Sequence, residues 1–161
     1  MSRDRAAWVL PVSIVVALVL GLLPLPAAVA PLRPYWLALV VAYWVLEEPE
    51  RAGLGFAFFV GLLADLAFGS LLGEQALRMV ILTFILQRFR ARLRFFPLSQ
   101  QALAIGALLV NDRIVTTALH FILGLPSPTG LAWVAPAIGM LLWAPVFLLF
   151  DMLRLRNWRR R

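Results

Sequence analysis

A chain of 161 residues that is 63% hydrophobic and only 14% charged has too little polar side chain to coat a water-soluble globule, which excludes a soluble domain and leaves one integral membrane domain. The net charge of +7 is carried wholly by arginine, and most of the fifteen arginines fall in three clusters, Arg3/Arg5, Arg88–Arg94 and Arg154–Arg161. Each cluster flanks an apolar run, as membrane orientation by positive charge requires, so nucleic acid is excluded as the partner. With no cysteine there is no disulfide, thiolate nucleophile or cysteine metal site.

In chain order, a short basic head precedes the apolar run Trp8–Leu25, and Ala28-Val29-Ala30 follows it. This resembles a cleavable signal peptide, but the run exceeds the roughly 7–15 residues of a signal core, so an uncleaved first span over about residues 8–25 is expected. Pro31-Leu32-Arg33-Pro34 reads as a turn, with Pro34 suited to the first position of the next helix. The second span, Tyr35–Leu46, is short for a crossing. Arginine placement decides in its favour: only if it crosses do all three clusters share one side. Tyr35, Trp36, Tyr43 and Trp44 would then form interfacial belts at its two ends.

Glu47–Arg51 is expected to turn in the cytoplasm, followed by a third span over about residues 54–72 and a fourth over about 75–89. The basic loop Arg88–Arg94 ends at Pro97, where a helix restarts. The fifth span, about 98–123, is interrupted by Asn111-Asp112-Arg113, polar residues that cost about 2.5–3.5 kcal/mol each on insertion scales unless paired. His120 near its outer end reads as an interfacial or satisfied histidine. Gly124–Gly130 is an uncharged outer loop. The sixth span, about 131–153, contains Pro136 and Pro145, kinks that neighbouring helices can accommodate. The arginine tail from Arg154 suits an anionic inner leaflet, by lipid anchoring or by partner docking. The whole is expected to be an all-α polytopic membrane protein of six spans with both termini cytoplasmic.

Within Gly53–Glu74, every fourth position is small or acidic: Gly53, Ala57, Gly61, Asp65, Gly69 and Gly73. On one helix these would form a shallow strip that another helix can approach closely. At ~100° per residue the strip drifts by ~40° per step, so its ends face different neighbours. Asp65 in this strip is either a functional carboxylate or a buried acid held by a partner, and both readings stand.

At ~1.5 Å per residue from the cytoplasmic ends, Asp65 lies ~18 Å deep, Arg78 ~17 Å and Asp112/Arg113 ~22 Å. Two acids and two bases at similar depth suggest a neutral network, with Asp65 on Arg78 or Arg113 and Asp112 on the other. Asp112 and Arg113 are adjacent and point ~100° apart, toward different helices. A proton or ion path is the functional alternative. No Ser/His/Asp set, H-E-x-x-H, G-x-G-x-x-G or phosphate loop with lysine is present. No catalytic residue, cofactor or metal is therefore expected.

Several stretches together resemble the family of bacterial rod shape-determining membrane proteins MreD. They are Arg33-Pro34-Tyr35-Trp36, then Tyr43-Trp44-Val45-Leu46 with Pro49 and Arg51. Gly61-x-x-x-Asp65-x-x-x-Gly69-Ser70-x-x-Gly73 and Gln100-Gln101-Ala102-Leu103 follow. The acidic Glu47, Glu48 and Glu50 depart from that pattern, and Arg78 and Arg113 belong to no motif of it. The resemblance implies a non-enzymatic component of the cell-elongation machinery, multi-pass in the bacterial inner membrane, that acts with the bitopic protein MreC. Through it the protein would be linked to cytoskeletal MreB and to RodA with its class B penicillin-binding partner, which make lateral-wall peptidoglycan. The family is also similar in architecture to the six-helix substrate-binding components of energy-coupling factor transporters, which keeps a small-molecule-binding subunit as the alternative. Small-residue grooves favour a helix-binding scaffold, with membrane lipids around it.

Overall fold

The computed structural model describes residues 7–159, with side chains described as far as Leu155. The Arg3/Arg5 head and the tail side chains beyond Leu155 lie outside the described residues. Among the described residues there are six α-helices: α1 (Val9–Leu22), α2 (Trp36–Glu47), α3 (Leu54–Phe68), α4 (Glu74–Leu93), α5 (Leu98–Leu123) and α6 (Ala135–Arg159). Short 3-10 turns, Ala30–Leu32 and Gly130–Val134, precede α2 and α6. Two segments, Leu98–Leu123 and Gly130–Leu155, are each long and apolar enough to cross a membrane.

The shortest helix sits at the centre. Every residue of α2 from Leu37 to Leu46 is buried, because its sequence is apolar on all sides and such a helix must be enclosed. Around it pack α1, α4, α5 and α6. Tyr43 and Trp44 are therefore core residues and form no interfacial belt: their exposures are 0% and 2%. The Tyr43 ring stacks on Phe150 at 5.1 Å and meets Phe147 edge-on at 5.5 Å. Trp44 Nε1 donates to Ser13 Oγ on α1 at 2.8 Å, which satisfies its polar edge inside the bundle. Pro34 also stands outside the helix it was expected to start, with α2 beginning at Trp36 after Tyr35.

α3 lies at the periphery, packed on α4 and α1. Phe58, Phe59, Leu63 and Leu66 on its outward side are exposed, a surface that suits lipid. α3 and α4 form a tight hairpin because Gly61 has no side chain: a Cβ there would lie 2.3 Å from Ala76 Cα. The α5–α6 pair uses the same device, with Gly106 against Met140 and Gly139 against Leu109. α6 keeps Pro145 inside a continuous helix.

Loops divide the bundle into two ends. The basic end carries the Glu47–Arg51 turn, the Arg88–Arg94 segment and Arg154. The opposite end carries the α1–α2 connection, the α3–α4 turn and the Gly124–Gly130 loop.

Candidate functional site

The α3–α4 turn is built around Asp65. α3 ends at Phe68, and Gly69 caps it in the left-handed region at φ 64°. Gly73 at φ 99° then admits the chain to α4. Both turns need glycine, since a side chain at positive φ meets the backbone. Asp65, 1% exposed, accepts from Ser70 Oγ at 2.7 Å, Gly73 N–H at 2.8 Å and Gln75 N–H at 2.8 Å. It thus supplies from α3 the cap that α4 lacks in its own sequence, at the positive end of that helix's dipole.

Asp65 consequently needs no arginine and pairs with none among the described residues, so the expected Asp65–arginine pair is corrected to a turn cap. The small-residue strip is corrected with it. Gly53, Ala57, Gly61 and Asp65 follow one face of α3 from its start, but Gly69 and Gly73 belong to the turn. A Cβ on Gly53, Gly69 or Gly73 would meet nothing within 4 Å, whereas Ala57 and Gly61 are buried inside the hairpin.

Of the four charges expected to interact, the structure joins two. Arg78 on α4 donates from Nε to Asp112 Oδ1 at 2.8 Å and from Nη2 to Oδ2 at 2.5 Å, a bidentate pair between buried side chains. Three further groups hold Arg78. Its Nη1 donates to Gln75 Oε1 at 3.3 Å and lies 3.9 Å from Glu74, and its guanidinium covers the Tyr35 ring at 4.4 Å. The Tyr35 hydroxyl donates to the same Gln75 oxygen. Arg113, one residue beyond Asp112, points elsewhere, and its Nε is buried with no partner among the described residues.

Arg33 donates from Nη1 and Nη2 to the carbonyls of Gly21 and Leu23, holding the end of α1, and its Nε is also buried and unpartnered. Arg33, Tyr35, Gln75, Arg78 and Arg113 line a cavity of about 370 Å³ at the end of α2. Nearby, His120 Nδ1 bonds to the Pro126 carbonyl at 2.8 Å and Nε2 faces Glu74 at 3.3 Å, so this histidine is satisfied by its surroundings.

At the basic end, Arg90 Nε donates to the Leu46 carbonyl at 2.8 Å and so caps the C-terminal end of α2. Arg154 Nη1 meets Glu47 at 2.5 Å, and Arg51 meets Glu48 at 3.5 Å. The acidic departures Glu47 and Glu48 are thereby ligands for arginine. Gln101 is buried, donating to the Leu93 carbonyl at 2.9 Å and accepting from Trp143 Nε1 at 3.4 Å, while Gln100 is exposed and Pro49 lies in the turn after α2.

The sequence reading missed Glu74, Gln75 and Arg90 as partners. A glutamate and glutamine opening a helix just after Gly73 were the available signal for the first two. Among the described residues no group of three His, Asp or Glu side chains could hold a metal ion.

No solved structure matches the chain. The rod shape-determining protein MreD of Haemophilus influenzae is 34% identical over 140 residues, covering 87% of this chain and 86% of that protein. The family model described as rod shape-determining protein MreD matches residues 2–153. On both counts, the chain belongs to the MreD family of rod shape-determining proteins.

Proposed function

We propose that the protein is a non-enzymatic membrane scaffold of the cell-elongation machinery, which receives the single transmembrane helix of an MreC-like partner and so supports lateral peptidoglycan synthesis. Membership of the family gives it a role in rod shape determination, and the family match over residues 2–153 is the observation that carries the proposal. Six crossings with both termini in the cytoplasm, where MreB works, complete the reading, with RodA and its class B penicillin-binding partner reached through the bitopic protein.

The exposed face of α3 is the surface offered to the partner. α3 is peripheral, and Phe59 and Leu66 on it are 67% and 72% exposed. Lipid gives little hydrophobic drive for helix association, so shape and close packing decide the contact. Purification from native membranes should recover a bitopic protein. Paired Phe59→Ala and Leu66→Ala changes should release it and give round cells while this protein stays at its normal level. Recovery of the partner unchanged, with cells still rod-shaped, would move the interface off α3.

A further inference from the structure

The cavity at the end of α2 is lined by three arginines, Arg33, Arg78 and Arg113, and by no aspartate or glutamate among the described residues. We propose that it binds a phosphate-type oxyanion, presented either by free phosphate or by the head group of an anionic lipid.

The three cations are not equivalent. Arg78 is already saturated by Asp112, Gln75 and Glu74, so its charge is balanced and it serves as a fixed wall, leaving Arg33 and Arg113 to hold the anion. Arg33 has committed both terminal nitrogens to carbonyls of the α1 end, and this fixes its plane and leaves Nε buried and unbonded. Arg113 makes no side-chain hydrogen bond or ion pair among the described residues, and its Nε is likewise buried. A buried N–H without an acceptor is costly, and an anion that accepts from these two Nε atoms removes that cost.

The direction of approach selects the anion. Arg33 comes from the α1–α2 connection and Arg113 from α5. The first residues of α2, Trp36 and Leu37, also line the cavity, and that helix has no side-chain cap. Donors arriving from three directions suit a tetrahedral oxyanion better than a planar carboxylate, and a helix N-terminus adds its own preference for negative charge. Leu22 and Phe68 give the cavity an apolar margin against which an acyl chain can lie.

The test uses the purified full-length protein and its melting temperature. One arm adds inorganic phosphate against chloride at matched ionic strength in an uncharged detergent. The other compares bilayer discs of phosphatidylcholine with discs containing phosphatidylglycerol. The expected result is a rise in at least one arm for the native protein, with binding weakened roughly tenfold or more in Arg113→Gln, the loss of one charged contact. Leu22→Glu places a tethered carboxylate at the margin of the cavity, on an exposed position that tolerates it, and should abolish the rise. A response to phosphate identifies a soluble ligand, and one confined to phosphatidylglycerol identifies a lipid head group. No rise in either arm overturns the site. So does a rise that both variants retain, which places the anion elsewhere. If Arg113→Gln fails to accumulate, Leu22→Glu decides alone: a full native response in it overturns the proposal.

Discussion

Arg78 and Asp112 are thirty-four positions apart in the chain and meet through two parallel hydrogen bonds of 2.8 and 2.5 Å. The fork of a guanidinium matches the two oxygens of a carboxylate, and here it ties α4 to α5 within an apolar bundle. Removing one partner leaves an uncompensated buried charge, a loss of about 3–5 kcal/mol. Asp112→Asn and Arg78→Leu should each lower the melting temperature and the amount of protein in membranes. Arg78→Leu combined with Asp112→Leu should recover part of that loss. A double variant that melts as low as the sum of its two parents would show that the two side chains are not coupled.

Asp65 should behave differently. Asp65→Leu leaves the Ser70 hydroxyl and the N–H groups of Gly73 and Gln75 without acceptors, at about 1–3 kcal/mol for each group that stays buried. Asp65→Asn keeps one acceptor oxygen and should cost less. Neutralising Arg78 or Arg113 in the Asp65→Leu background should give no recovery. Rescue by either arginine change would restore the ion-pair reading and reject the turn cap.

The glycines of α3 and the adjoining turn separate into three kinds. Gly61→Ala drives a Cβ into Ala76 and Gln75 backbone atoms at 2.3–2.7 Å, so the hairpin must open, at about 1–3 kcal/mol or more. Gly69→Ala meets no neighbour but is strained at positive φ, at about 1–2 kcal/mol. Gly55→Ala is unobstructed at ordinary φ and should be neutral or stabilising by up to about 1 kcal/mol. Thermal melting of the three purified variants checks the order, and a Gly55→Ala protein less stable than Gly61→Ala would contradict it.

Orientation is checked with reporter fusions. Fusions at Glu50 and Arg92 should read cytoplasmic, and fusions at Leu72 and Ser127 should read on the far side. A far-side signal at Arg92 would remove the six-crossing arrangement.

The helices were legible from apolar runs bounded by turn residues, and α5 coincides with its expected limits of 98–123. Depth counting puts Arg78 and Asp112 at similar levels, because a charge in an apolar run must find its counter-charge at comparable height. It could not choose among partners, since the choice depends on how α4 and α5 are rotated about their axes. Asp65 was misassigned because its partners are mostly backbone N–H groups, which every residue carries and no side-chain pattern reveals. Gly69-Ser70-x-x-Gly73 was the readable sign: a glycine-bounded turn within reach of an acid. Tyr43 and Trp44 misled for a related reason. Aromatic side chains near a span end suggest an interface, but the surrounding helices enclose α2 from Leu37 to Leu46 and take both rings into the core.

The shortness of α2 also bears on how the chain is made. Twelve residues rise only ~18 Å, against a hydrocarbon layer of ~30 Å, so Trp36–Glu47 on its own is a poor substrate for lateral release into lipid. Of the helices that enclose it, α1 emerges from the ribosome beforehand, whereas α4, α5 and α6 emerge afterwards. Nascent α2 therefore has one of its four walls, and the later helices supply the other three. The innermost helix is therefore expected to seat last, although it is among the first to be synthesised.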